Sequence, residues 1–129
     1  MRMLYHLEKP LFSQSSNHRF SADLQAMSQI LDKHAVFTHW VHDDLTAGGS
    51  KKGFGAKGMT SEQVLRAGLI KQMNDWSYEF LEIQCVDSEM TRAFIKLGFG
   101  ESYSDSCLQS NISKVRGETW QKIRDSLIR

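Results

Sequence analysis

Thr60, Ser77, Ser88 and Ser104 each stand just ahead of a short run of helix-spaced apolar residues. A Ser or Thr oxygen in that place accepts an orphan backbone N–H of the first helical turn, so each one predicts a helix start. Leu65, Leu69 and Met73 follow the first cap on one expected inward face; Leu81, Cys85 and Ile83 follow the second. Met90, Phe94 and Leu97 follow the third, and Leu108, Ile112 and Val115 the fourth. Starts this close together leave room only for short helices. No stretch alternates apolar and polar residues for the length of a strand. The expected fold is all-α: a small helical domain containing a helix-turn-helix, preceded by an N-terminal helical pair and an irregular arm. The predicted helices are 60–73, 77–85, 88–97 and 104–115, with a last one over 118–129.

The first start is the most fully specified. Thr60 and Gln63 have the spacing of a capping box, and Met59 and Val64 that of a hydrophobic staple. Asn74-Asp75 closes that helix. Gly98 and Gly117 read as stops for the third and fourth, since glycine enters the left-handed cap at no steric cost.

Upstream, 1–20 reads as an irregular arm, because Pro10 and the polar run 13–17 oppose a helix. Residues 21–45 read as the helical pair. Ser21 caps a face of Leu24, Met27 and Leu31, His34 marks a bend, and Phe37, Trp40, Val41 and Leu45 supply the second helix. Residues 46–58 hold five glycines and Lys51, Lys52 and Lys57. Each glycine loses much backbone freedom on ordering, so this is a basic loop. Residues 59–129 form the helix-turn-helix region of what is expected to be one compact domain overall. The final helix runs to the chain end without a cap, glycine or proline, the pattern expected of a cut chain.

The net charge of +1 excludes a bulk-basic, histone-like binder, so any DNA contact must come from local patches. Residues 1–50 carry four Lys/Arg against five Asp/Glu, and 51–129 carry twelve against ten. Cys85 and Cys107 lack a partner motif and suggest a reducing interior, hence a cytoplasmic, nucleoid-associated protein. No apolar run approaches transmembrane length, so no membrane partner is expected.

Several chemical motifs fail on context. Gly53-Phe-Gly-Ala-Lys-Gly58 matches the dinucleotide fingerprint, but no strand precedes it and no βαβ unit surrounds it. His39 and His42, with Asp43 adjacent, have zinc-ligand spacing without a third ligand. The Asp43-Asp44 and Glu79/Glu82 pairs read as solvated helix carboxylates and come with no nucleophile or positioned histidine. No metal site and no catalytic residue is assigned.

The stretch 104–115 carries more. Its apolar stripe leaves Ser106, Gln109, Ser110, Ser113 and Lys114 on other faces. Amide and hydroxyl side chains pair with base edges in a major groove. Ser106, Gln109, Ser110 and Ser113 are the expected base contacts. Lys51, Lys52, Lys57, Lys114 and Arg116 are the expected phosphate contacts, which position a domain without reading sequence. A second candidate reader is 88–97, with Arg92 and Lys96 outward. Leu65, Leu69, Leu81, Phe94, Leu97, Leu108, Ile112 and Trp120 are the expected core. The alternative class is a helical protein-interaction or dimerisation module with little DNA binding of its own.

The order Gly58-Met-Thr-Ser-Glu-Gln-Val-Leu-Arg-Ala67, Lys71-Gln72, Trp76-Ser-Tyr78, Phe94 to Leu97-Gly98, Ser106-Cys-Leu-Gln-Ser-Asn-Ile112 and Glu118-Thr-Trp120 resembles the N-terminal region of bacterial insertion-sequence transposases, the ISNCY group above all. Ile30-Leu-Asp-Lys-His34 and Val41-His-Asp-Asp-Leu45 fit the same group, so the resemblance covers about 21–127. It implies a helical domain that binds the terminal inverted repeats of a mobile element as double-stranded DNA; a homodimer is a further candidate partner, from the interaction-module alternative. It also implies a separate RNase H-like domain whose Asp-Asp-Glu triad binds Mg²⁺. No alternating strand–helix region houses that triad here, so this chain is expected to bind DNA, need no cofactor and catalyse nothing. The chain departs from the family pattern at Asp105 and Ser110, where a basic residue is usual, and at Arg116-Gly117, where Ser-Pro is usual.

Overall fold

The computed structural model describes residues 18–47 and 58–128, and all seven elements in them are helices. They are α1 His18–Lys33, α2 Val36–Ala47, α3 Ser61–Asn74, α4 Tyr78–Asp87, α5 Glu89–Ile95, α6 Asp105–Ile112 and α7 Gly117–Ile128. The all-α expectation holds. The chain divides into two compact units between Lys33 and His34. The expected helical pair is therefore split at its bend: α1 belongs to one unit and α2 to the other. α1 starts at His18, ahead of the cap expected at Ser21. The expected arm up to residue 17 and most of the Gly/Lys loop, with Lys51, Lys52, Lys57 and most of the Gly-rich motif, lie outside the described residues.

The second unit is built around α3. Its start is the predicted capping box: Thr60 Oγ1 accepts the Gln63 N–H at 3.1 Å, and Gln63 Oε1 accepts the Thr60 N–H at 3.1 Å. From Ser61 to Ile70 every residue of α3 except Glu62 is buried. A helix covered on almost all sides needs neighbours on several faces, and α3 packs against α2, α4, α5 and α6. Gly68 gives it a further one. A Cβ placed there would lie 2.3 Å from Trp120 Cη2 of α7, so the indole sits on bare backbone. Met59, Val64, Ile70, Leu81, Ile95, Leu108 and Ile123 are all wholly buried around this axis. Each such side chain stabilises the fold by about 1.5–3 kcal/mol.

The caps fall where the hydroxyls predicted. Ser77, Ser88 and Ser104 accept from the backbone N–H of Phe80, Thr91 and Cys107 respectively. The stops do not. α5 ends at Ile95, with Lys96 in the left-handed conformation at φ 68°, ahead of the expected Gly98. Gly117 opens α7 instead of closing α6, which ends at Ile112. Seven of the eight expected core residues are buried; Leu97 is only half-buried. Ile83 and Met73, expected inward, are 50% and 44% exposed. Ile83 lies on the face of α4 opposite Leu81 and Cys85, and Met73 lies in the last turn of α3, past the covered stretch that ends at Ile70.

The connections differ in length. Residues 75–77 join α3 to α4, Ser88 alone joins α4 to α5, and 113–116 join α6 to α7. The link from α5 to α6 is longer, at 96–104. A helix-turn-helix joins its helices by about 3–4 residues, so α6 does not follow a tight turn.

Candidate nucleic-acid interface

α6 is held from behind and open in front. Cys107, Leu108, Asn111 and Ile112 are buried, and the helix packs on α3 and α4. Asn111 is wholly buried, and its Nδ2 donates to the Cys107 carbonyl at 2.9 Å. That bond follows the helix axis and ties the side chain to its own preceding turn. At the start, the Asp105 N–H donates to Glu82 Oε1 of α4 at 3.0 Å. Asp105 itself sits in the first turn, where a carboxylate meets the positive end of the helix dipole.

Ser106, Gln109 and Ser110 are all exposed on α6, and Ser113 and Lys114 are exposed in the turn that follows. The structure therefore gathers all four expected base-contact residues on and just after one short helix. Arg116 ends that turn, and its guanidinium is committed: Nη2 lies 3.0 Å from Asp44 Oδ1 of α2, and Nε donates to the same oxygen at 3.1 Å.

Arg92 does not stand outward as expected. Its Nη1 donates to the Cys85 and Glu101 carbonyls at 2.6 and 2.7 Å, and Nη2 to the Gly98 carbonyl at 2.5 Å. Carbonyls at a helix end and in a link without regular structure lack helical partners, and a forked cation satisfies several of them at once. Lys96, the other residue of that candidate, is exposed but lies 3.1 Å from Glu62 Oε2.

Glu101 completes this brace. Its carboxylate accepts the Gly98 N–H at 2.8 Å, Gln63 Nε2 of α3 at 3.2 Å and the Tyr103 hydroxyl. The Gly98 and Tyr103 donors lead the causes that hold the Glu101 carboxyl below the usual range. Burial, with the adjacent Glu101 carboxylate second, pushes the Tyr103 phenol up to about 12. Arg92 and Glu101 thus fasten the long link that delivers the chain to α6. Sequence spacing gave no sign of this pairing, because its bonds run to backbone groups in a link without regular periodicity.

Asp44 was expected to be solvated beside Asp43, and that is corrected: the Asp44 side chain is 2% exposed, while Asp43 is exposed. The signal was present in the periodicity. Phe37, Val41, Asp44 and Leu45 fall at i, i+4, i+7 and i+8, which places the carboxylate on the apolar stripe. Of the histidine pair, His39 is exposed and His42 Nδ1 meets Ser61 Oγ at 2.9 Å. Among the described residues, no group of three or more His, Cys, Asp or Glu is placed to hold a metal. No helix among them is long and apolar enough to cross a membrane. Comparison with protein-family models, curated proteins and solved structures finds no match for this chain.

Proposed function

We propose that this chain binds double-stranded DNA at the terminal inverted repeats of a mobile element, as the N-terminal part of a transposase, with α6 as the helix that enters the major groove. One observation supports this most: α6 divides cleanly into a buried half and a front of exposed Ser106, Gln109 and Ser110. These are side chains that pair with base edges, and all three stand exposed. Lys114, just past the helix, supplies a phosphate contact beside them, and Lys51, Lys52 and Lys57 add others. The brace of Arg92 and Glu101 replaces a tight turn in setting the attitude of α6. Strand cleavage is assigned to a separate triad domain, so no residue described here is given a catalytic role.

Selection from a random duplex pool, followed by fluorescence anisotropy on the winner, tests this. Four lysines on phosphates give a log K against log salt slope of about −3.6, from about −0.9 per phosphate. A slope near zero, or a pool that yields no preferred sequence, removes the proposal.

A further inference from the structure

α4 buries Leu81 and Cys85 and turns Phe80, Ile83 and Val86 outward, 41%, 50% and 57% exposed. A surface helix ordinarily places polar side chains there. Phe99, in the link from α5 to α6, is fully exposed. It lines a groove together with Val86, Leu97, Gly98 and Arg92. The apolar face of α4 therefore runs on into a cleft that could take an anchoring side chain.

The charge carried by α4 and its flanks is mostly negative. From Trp76 to Thr91 the chain carries Glu79, Glu82, Asp87 and Glu89 and no Lys, Arg or His. Glu79, Asp87 and Glu89 are exposed. Two cations border this face: Arg92, which lines the groove with its guanidinium bound to three carbonyls, and Lys71, which lies over the Tyr78 ring at 4.4 Å.

We propose that this acidic-rimmed apolar face docks a basic amphipathic helix of another protein, one whose apolar residues recur at helical spacing between Lys or Arg. Apolar anchors in a groove give such contacts their affinity, and complementary rim charge gives their specificity. A second copy is a poor occupant, because an isologous dimer sets one acidic rim against another. A duplex is a poor one too, since its phosphates meet carboxylates.

Two synthetic helical peptides test this on the full chain, both with Leu at i, i+4 and i+7, one flanked by Lys and the other by Glu. The Lys peptide should bind about tenfold tighter or more at low salt, with amide shifts centred on Phe80, Ile83, Val86 and Phe99. Ile83→Glu, at an exposed position, should keep the urea midpoint and weaken the Lys peptide by about tenfold. Glu79→Lys with Asp87→Lys should reverse the preference between peptides. Gln109→Ala should leave peptide binding unchanged, which separates this face from the DNA-binding one. Equal binding of the two peptides, no binding, shifts centred elsewhere, or a dimer that Ile83→Glu dissolves would each overturn the proposal.

Discussion

The Arg116 guanidinium closes on the Asp44 carboxylate, and the Arg116 backbone N–H donates to the same group at 3.0 Å. The Thr119 hydroxyl adds a bond of 2.6 Å. One carboxylate on α2 thereby pins the turn between α6 and α7. Burial alone raises the Asp44 pKa, but the donors from Thr119 and Arg116 outweigh it and leave the carboxyl below its ordinary value. A depressed folded-state pKa contributes stability that is present above the unfolded value, about 3.9, and is lost as pH falls through the folded one. Asp44→Asn should therefore flatten the acid side of the stability curve and cost about 1–3 kcal/mol at neutral pH. Arg116→Ala should cost less than about 1 kcal/mol, since most of that side chain is in water. Urea titrations across the acid range check both; parallel curves for wild type and Asp44→Asn would count against the linkage.

Gly68 and Trp120 set two effects in opposition. Helix propensity alone favours Gly68→Ala by about 1 kcal/mol. The added methyl would meet the indole at 2.3 and 2.6 Å, at ring atoms of a side chain that is itself buried. Overpacking a tight site costs about 1–3 kcal/mol, so net destabilisation is expected. A raised melting temperature for Gly68→Ala would show that the indole moves aside freely.

Arg92→Lys tests the brace. An ammonium keeps the charge but cannot fork across three carbonyls. Two of those acceptors lie in the 96–104 link, at Gly98 and Glu101. The change should cost about 1–3 kcal/mol, and amide exchange should quicken first between Leu97 and Ser102, where protection is local. Unchanged exchange in that segment would mean the link holds without the guanidinium.

The helix starts were legible because a cap is a local device: one hydroxyl and an N–H a few residues on suffice. Most of the core was legible too, because Leu81, Leu108 and Ile112 follow a simple period. The stops were not. Lys96 takes the left-handed cap because Arg92, Glu101 and the α3 start fix the chain just beyond it, and no local rule assigns that conformation to lysine. Arg66 shows the same limit. It is wholly buried at the centre of α3, donating to the Phe94 carbonyl at 3.0 Å with its guanidinium over the Phe94 ring. Its place depends on a neighbour far along the chain. On α6 the exposed front was legible from spacing, whereas the long link that presents it was not, since its brace joins residues from four separate segments, α3, α4, α5 and the link itself.

Cys85 reports on opening of the domain. Burial pushes its thiol up to about 11, beyond the small downward pull of Arg92 and with a further upward push from Glu82. The thiolate is the reactive form, so at mildly alkaline pH alkylation of Cys85 should follow the unfolding equilibrium and accelerate with urea. Mass spectrometry separates it from Cys107, which is also buried. Labelling at the rate of a free thiol in native buffer would place Cys85 in contact with solvent.

Gln109 and Lys114 are both exposed and sit at either side of the end of α6, yet they should fail differently. An amide that pairs with one base edge contributes only where that base is present. Gln109→Ala should therefore cost about 1–3 kcal/mol on the selected duplex, almost nothing on a scrambled one, and relax the preference at one position. An ammonium on a phosphate is indifferent to sequence. Lys114→Ala should weaken every duplex alike and reduce the salt slope by about 1. Neither substitution removes a buried contact, so urea midpoints should stay within about 0.5 kcal/mol of wild type. A loss that is uniform across duplexes for Gln109→Ala would take base reading away from α6. Because Arg92 is already bound to three carbonyls, α5 could then inherit the role only by breaking the brace that fastens the 96–104 link.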